Sequence, residues 1–346
     1  MGIFGHGKKE KQLQERQLSC FYNVLRQYNR KLFIGKNMHL SERIGNTPLI
    51  FLEHISHMIG GRVFIKYEVC NPFGSALDRT AFSYLQQGIN TGELKPDGCI
   101  IESSTGNLAI SLAYLCAAQR VTLLVVMPEP EDDRIPNLLR LLRAQVTFTP
   151  RNQGMAAAAK VASNMHIDTW NSYYSDQFHN NEGPQTHYRS TGKEIVDQCN
   201  ELAIQPDIFI AGVGSGATFM GVGSRLREAF PSIQLVAVEP AESPVLSGGK
   251  SAPHAFHGIG AGFIPDIFNY KLDPKIFPVC IEDAVRASRR ILNKEGLPCG
   301  LTTGANLYAA LQLVGRPEYR GKNIIIMGHD GIERDLGVKM LGAGQF

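Results

Sequence analysis

One tryptophan, a net charge of only +3 and no Cys-x-x-Cys pair are what this 346-residue sequence has least of. The small charge excess gives no footing for a nucleic-acid partner, whose phosphates call for a strongly basic face. The seven cysteines, Cys20, Cys70, Cys99, Cys116, Cys199, Cys280 and Cys299, are scattered. That usage predicts reduced thiols in a cytoplasmic protein, with neither a disulfide framework nor a metal site. No apolar run approaches the length of a membrane-spanning helix, so no span is expected. The segment Met1–Lys9 shows no long apolar stretch and no secretory cleavage pattern. His6 stands where a myristoylation signal wants Ser or Thr.

What is present fits a globular protein, 43% apolar and 19% charged. The length allows two domains or one large α/β unit. Residues 1–40 stand apart. Leu18, Phe21, Leu25, Tyr28 and Leu32 recur at helical spacing among basic residues. A basic amphipathic helix packed on the main body or on a second subunit is the favoured reading, over contact with an acidic membrane. Beyond residue 40, buried strands are expected at 62–69, 99–102, 121–127, 145–149, 207–211, 234–238 and 323–327, with helical patterns between most of them. This alternation predicts an α/β fold with mainly parallel sheets flanked by helices. Such folds bind ligands at the carboxyl ends of strands, where helices begin.

Two strand-to-helix turns carry candidate chemistry. Gly212-Val213-Gly214-Ser215-Gly216-Ala217-Thr218 follows the 207–211 strand. Its glycines let backbone amides approach an anion, and Thr218 adds a hydroxyl. Taken alone it can equally be a structural turn. Glu102-Ser103-Ser104-Thr105-Gly106-Asn107-Leu108 follows the strand before it; its hydroxyls can grip a carboxylate or cap the next helix.

These turns keep register with further stretches: Asn71-Pro72-Phe73-Gly74-Ser75-Ala76-Leu77-Asp78-Arg79, Asp176-Gln177-Phe178, His187-Tyr188-Arg189-Ser190-Thr191-Gly192, Val238–Ser243, Gly258–Phe263 and Gly300-Leu301-Thr302-Thr303-Gly304. In that order they resemble the cysteine synthase/cystathionine β-synthase family of pyridoxal-phosphate (PLP) enzymes, over about residues 40–340. Asp330-Gly331-Ile332-Glu333-Arg334 is a looser match to the family's closing motif. The resemblance implies a two-domain fold of type II, tryptophan synthase β-like. The large domain would take residues 41–80 and 155–346, and the small one 81–154. It implies PLP phosphate at Gly214, Ser215, Gly216, Ala217 and Thr218, the ring hydroxyl at Asn107, and the pyridine nitrogen at Thr303. It further implies substrate carboxylate near Ser104, Thr105, Gly106 and Gln177, Gly258 at the mouth, and a homodimer.

The departure from the family lies at Leu77. The resembling segment runs Asn-Pro-x-x-Ser-x-Lys-x-Arg, and its lysine forms the Schiff base with the cofactor. Leucine has no amine. Leu108 is a second departure, where the family commonly has threonine. Lys66, on the preceding strand, reads as structural. The expectation is a cysteine synthase-like pseudoenzyme with no covalently bound cofactor. It would bind PLP non-covalently, a small anion, an amino acid or a partner's C-terminal tail. The alternatives are an active PLP enzyme making cysteine or a related amino acid from serine or O-acetylserine, and an interaction module acting through its N-terminal segment.

Overall fold

The computed structural model describes residues 40–336. The basic segment carrying Leu18 to Leu32 lies outside them, as does Cys20. The chain divides into two compact units, Met1–Glu42 and Arg43–Phe346. Of the first, only Leu40–Glu42 are described, within the 3₁₀ turn Leu40–Arg43.

Ten strands form two sheets. They are β1 (Leu49–Phe51), β2 (Arg62–Tyr67), β3 (Cys99–Ser103), β4 (Thr122–Pro128), β5 (Gln145–Thr149), β6 (Ser172–Tyr174), β7 (Ile208–Gly212), β8 (Gln234–Pro240), β9 (Lys275–Val279) and β10 (Asn323–Gly328). The larger sheet runs β1-β2-β10-β7-β8-β9, the smaller β5-β4-β3-β6. Every pairing is parallel except β1 with β2. The smaller sheet continues past residue 154, because β6 bonds to β3 from Cys99↔Ser172 to Ile101↔Tyr174.

Parallel strands covered on both faces must be apolar throughout, and β7 and β3 are buried along their whole length. On one face of the larger sheet, Val63, Ile65, Ile208, Ile210 and Ile326 pack with α1 (Glu53–Ile59), α9 (Ile281–Glu295) and α10 (Leu301–Val314). On the other, Phe64, Phe209, Ala211 and Met327 meet α7 (Lys193–Glu201) and α8 (Ala217–Ala229). The smaller sheet has α2 (Leu77–Thr91) and α3 (Asn107–Gln119) on one face, with α4 (Arg134–Leu141) beside them. Ala158 and Ala162 of α5 (Gly154–Asp168) cover its other face. The short α6 (Glu182–His187) runs through a π turn, Tyr188–Gly192, into α7.

Among the described residues no helix is long and apolar enough to cross a membrane. None of them groups three His, Cys, Asp or Glu side chains around a metal position. The six described cysteines are free.

Candidate functional site

The segment 71–79 joins β2 to α2 and is pinned at several points. Asn71 Oδ1 accepts from Gly45 N at 2.8 Å, and Asn71 Nδ2 donates to Glu68 Oε2 at 2.8 Å. Asp78 Oδ2 accepts from Phe73 N at 2.7 Å and Asp78 Oδ1 from Ser111 Oγ at 2.6 Å. Arg79 Nε donates to Glu68 Oε2 at 2.7 Å and Nη1 to Glu194 Oε1 at 2.6 Å. These bonds leave no slack for a register shift. Leu77 is therefore the first residue of α2, half-buried, with its side chain against the α2–α3 core.

Lys66 on β2 is the lysine nearest in sequence. Its ammonium is fully buried and donates to Thr47 O at 2.7 Å, Glu194 Oε2 at 2.7 Å and Gln198 Oε1 at 3.0 Å. An ammonium has three protons to donate, and all three are committed. Lys66 is a structural cation, paired with the Glu194 carboxylate.

Contacts join the remaining segments into one ring. Ala76 N donates to His329 O at 2.8 Å, and Ser75 bridges Asp330. His329 N donates to Thr303 Oγ1 at 3.1 Å. Asn107 Nδ2 donates to Asp330 Oδ2 at 2.5 Å, and Thr105 Oγ1 to His257 O at 3.4 Å. A Cβ on Gly258 would lie 2.8 Å from Thr302 Oγ1, and one on Gly214 would lie 2.6 Å from Gly258 O. Leu77, Thr105, Asn107, Gly214, Gly258 and Thr303 thus sit on segments that touch, although they span most of the chain.

At the glycine turn, β7 ends at Gly212 and α8 begins at Ala217. Gly216 adopts φ +91°, a left-handed conformation that costs a side-chain-bearing residue energy. The first amides of α8 have no acceptor within the helix and carry its positive dipole end. Ser215 Oγ accepts from Ala217 N at 3.5 Å. Thr218 Oγ1 lies 3.1 Å from His187 Nε2, which is also 3.0 Å from Thr80 Oγ1, one turn beyond Leu77. His187 is fully buried, and burial pulls its imidazole down to about 3, so it is neutral. It joins the glycine turn to α2, a link the sequence placed no weight on.

At the second turn, Ser104 Oγ accepts from Gly106 N and Ala109 N, both at 3.3 Å. The hydroxyl therefore serves the start of α3. Gln177 Nε2 donates to Ser103 O at 2.6 Å and to Glu102 Oε1 at 3.1 Å. Glu102 also accepts from Ser175 Oγ at 2.6 Å, and burial pushes its carboxyl up to about 8 against those hydrogen bonds. Gln177 thus braces the turn from below. Leu108 is 2% exposed and belongs to the α2–α3 core.

Residues 40–330 match the family described as pyridoxal-phosphate dependent enzyme. A cysteine synthase of Staphylococcus aureus is 36% identical over 299 residues, covering 86% of this chain and 95% of that protein. The cysteine synthase of Entamoeba histolytica superposes with a TM-score of 0.83 at 31% identity, over 91% of this chain and 93% of that one. A lysine-to-alanine mutant of O-ureido-L-serine synthase, solved with O-ureido-L-serine bound, superposes with a TM-score of 0.84 at 27% identity, covering 90% and 95%.

Proposed function

The chain belongs to the pyridoxal-phosphate dependent enzyme family, and on that premise we propose that it is a cysteine synthase-like member without covalent cofactor chemistry. Its site would bind a small anion, an amino acid or a protein C-terminus, in a regulatory or pseudoenzyme role. The observation that carries this is Leu77, an apolar side chain fixed by the register of 71–79 where the resembling segment has its lysine.

The residues around Leu77 still fit the cofactor as a non-covalent guest. The Gly214–Thr218 turn and the first amides of α8 suit a phosphate. Thr303 Oγ1 accepts from His329 N and keeps its own proton to donate to a ring nitrogen. Asn107 stands beside it through Asp330. When bound, pyridoxal phosphate supplies an electron sink for carbanion chemistry. The chain's own contribution is a carboxylate grip at the start of α3 and a phosphate grip at the start of α8. That a lysine-to-alanine mutant of a relative is seen with O-ureido-L-serine bound supports ligand binding without that relative's lysine. The second reading, an active β-replacement enzyme, is favoured by the same retained Asn107, Thr303 and glycine turn.

Calorimetry with inorganic phosphate and free pyridoxal phosphate tests the anion grip. Wild type is expected to bind both. Gly216→Ala should weaken binding at least about tenfold, because φ +91° disfavours any Cβ. Equal affinities in the two proteins would mean that the turn is structural only.

A further inference from the structure

His187 ends α6 and is fully buried, with three threonine hydroxyls around its ring. Nε2 lies 3.0 Å from Thr80 Oγ1 and 3.1 Å from Thr218 Oγ1, and Nδ1 lies 2.9 Å from Thr191 Oγ1. The three come from α2, from the first turn of α8 and from the π turn after α6. Close backbone approach fixes the arrangement. A Cβ on Gly221, one turn beyond Thr218, would collide with Pro184 O and lie 2.7 Å from His187 Cβ. Nothing larger than hydrogen fits there, so α6 and α8 hold His187 against Thr218.

Burial keeps the imidazole neutral, and the charges near it, Arg79, Glu68 and Glu194, are bonded to one another. A neutral imidazole has one N–H and one bare nitrogen. With the proton on Nδ1, Thr191 accepts it, and Thr80 and Thr218 both donate to Nε2. All three contacts are then hydrogen bonds. With the proton on Nε2, Thr191 donates to Nδ1, but the single N–H must be shared between Thr80 and Thr218. The empty site therefore favours Nδ1–H. An anion at the Gly214–Thr218 turn reverses the preference, because it needs the Thr218 proton. Were Thr218 to give that proton up in the Nδ1–H form, its oxygen and the bare Nε2 would face each other unbonded at 3.1 Å. In the Nε2–H form Thr218 accepts from His187 and donates to the anion. Thr80 then turns its proton to a carbonyl one turn back, as a helical threonine can.

We propose that His187 is a positioning residue whose tautomer follows anion occupancy: Nδ1–H when the Gly214–Thr218 turn is empty, Nε2–H when it is filled. One proton leaves Nδ1 and one arrives at Nε2 by exchange with solvent, so the charge does not change. This rests on the anion-binding reading above and deepens it, adding a neutral donor chain from His187 through Thr218 to the ligand. The exchange also reaches α2, because Thr80 gives up its acceptor one turn from Leu77.

The test is nitrogen-15 NMR on the full chain with labelled histidine, dialysed free of phosphate and then given inorganic phosphate. Protonated and bare ring nitrogens give distinct resonances, and the His187 ring is identified by its loss in His187→Gln. The expected spectra place the proton on Nδ1 without phosphate and on Nε2 with it. The same tautomer in both states, with phosphate bound by calorimetry, overturns the proposal and leaves the anion reading standing. Absence of phosphate binding overturns both. Calorimetry on variants is an independent check. The amide of His187→Gln can donate near the place of Nε2, so its phosphate affinity should stay within about threefold of wild type, whereas His187→Leu should lose at least about tenfold, the worth of one hydrogen bond to a charged group. Equal affinities in the two variants would make His187 a packing residue and overturn the proposal. Should His187→Leu not fold, the wild-type spectra decide.

Discussion

Given O-acetylserine, sulfide and saturating pyridoxal phosphate, the wild-type protein is expected to form cysteine at a rate at least about 10²–10⁴-fold below that of Leu108→Thr combined with Leu77→Lys. That range is what a positioned general base contributes, and Leu77 offers none. Leu77→Lys alone should gain the visible absorbance of a lysine-bound cofactor and remain slow. Its new amine would sit at the start of α2, but the start of α3 would still lack a hydroxyl at residue 108. Leu108 packs into the α2–α3 core, so putting threonine there buries a hydroxyl in apolar surroundings. That should cost about 1–3 kcal/mol of stability. Steady-state assays with thermal melts on wild type and the two variants check the set. Rapid wild-type turnover would favour the active-enzyme reading. Full recovery in the single variant would show that only the lysine had been lost.

Arg79→Met is expected to be the most damaging single substitution to stability, by about 3–5 kcal/mol. The guanidinium is buried and reaches Glu68 and Glu194, with Nη2 also 3.1 Å from Thr47 Oγ1. Without it, the buried Glu68 and the half-buried Glu194 keep only Lys66 as a cation. Burial raises Glu194, but the bonds and charges of Arg79 and Lys66 outweigh that and hold it near 2. A carboxyl held low contributes stability that is complete above its unfolded value. The contribution is lost as pH falls toward 2, so the deficit in Arg79→Met should shrink on acidification. Denaturant titrations at neutral and acidic pH measure this. A loss under about 1 kcal/mol at neutral pH would show that the cluster is not a structural unit.

Most of the fold was legible because its strands are apolar runs. All seven expected strands are present within a few residues, and β2, β3, β4, β7, β8 and β10 are largely buried; β5, expected to be buried, instead exposes Gln145, Thr147 and Phe148. The missed strands had weak signals. β1 and β6 are three residues long. β9 lies at the sheet edge, carries Pro278 and is mostly accessible. The segment 155–174 reads locally as one more helix and strand, and only the pairing of β6 with β3 assigns it to the smaller sheet. We therefore place the limit of the proposed smaller domain near residue 174.

The candidate site residues were read from contiguous turns. The contacts that give them meaning are long-range and left no local trace. Asn107 meets Asp330 across 223 residues, and His187 joins Thr80 to Thr218. The dual use of Ser104 and the commitment of Gln177 to Glu102 depend on burial, which spacing alone cannot supply.

The most direct test of the account is borohydride reduction of the purified protein after incubation with pyridoxal phosphate, followed by intact and peptide mass spectrometry. The account predicts an unmodified protein at stoichiometric cofactor, and a single pyridoxyl adduct at residue 77 only in Leu77→Lys. A stoichiometric pyridoxyl adduct on any one lysine of the wild-type chain would contradict it.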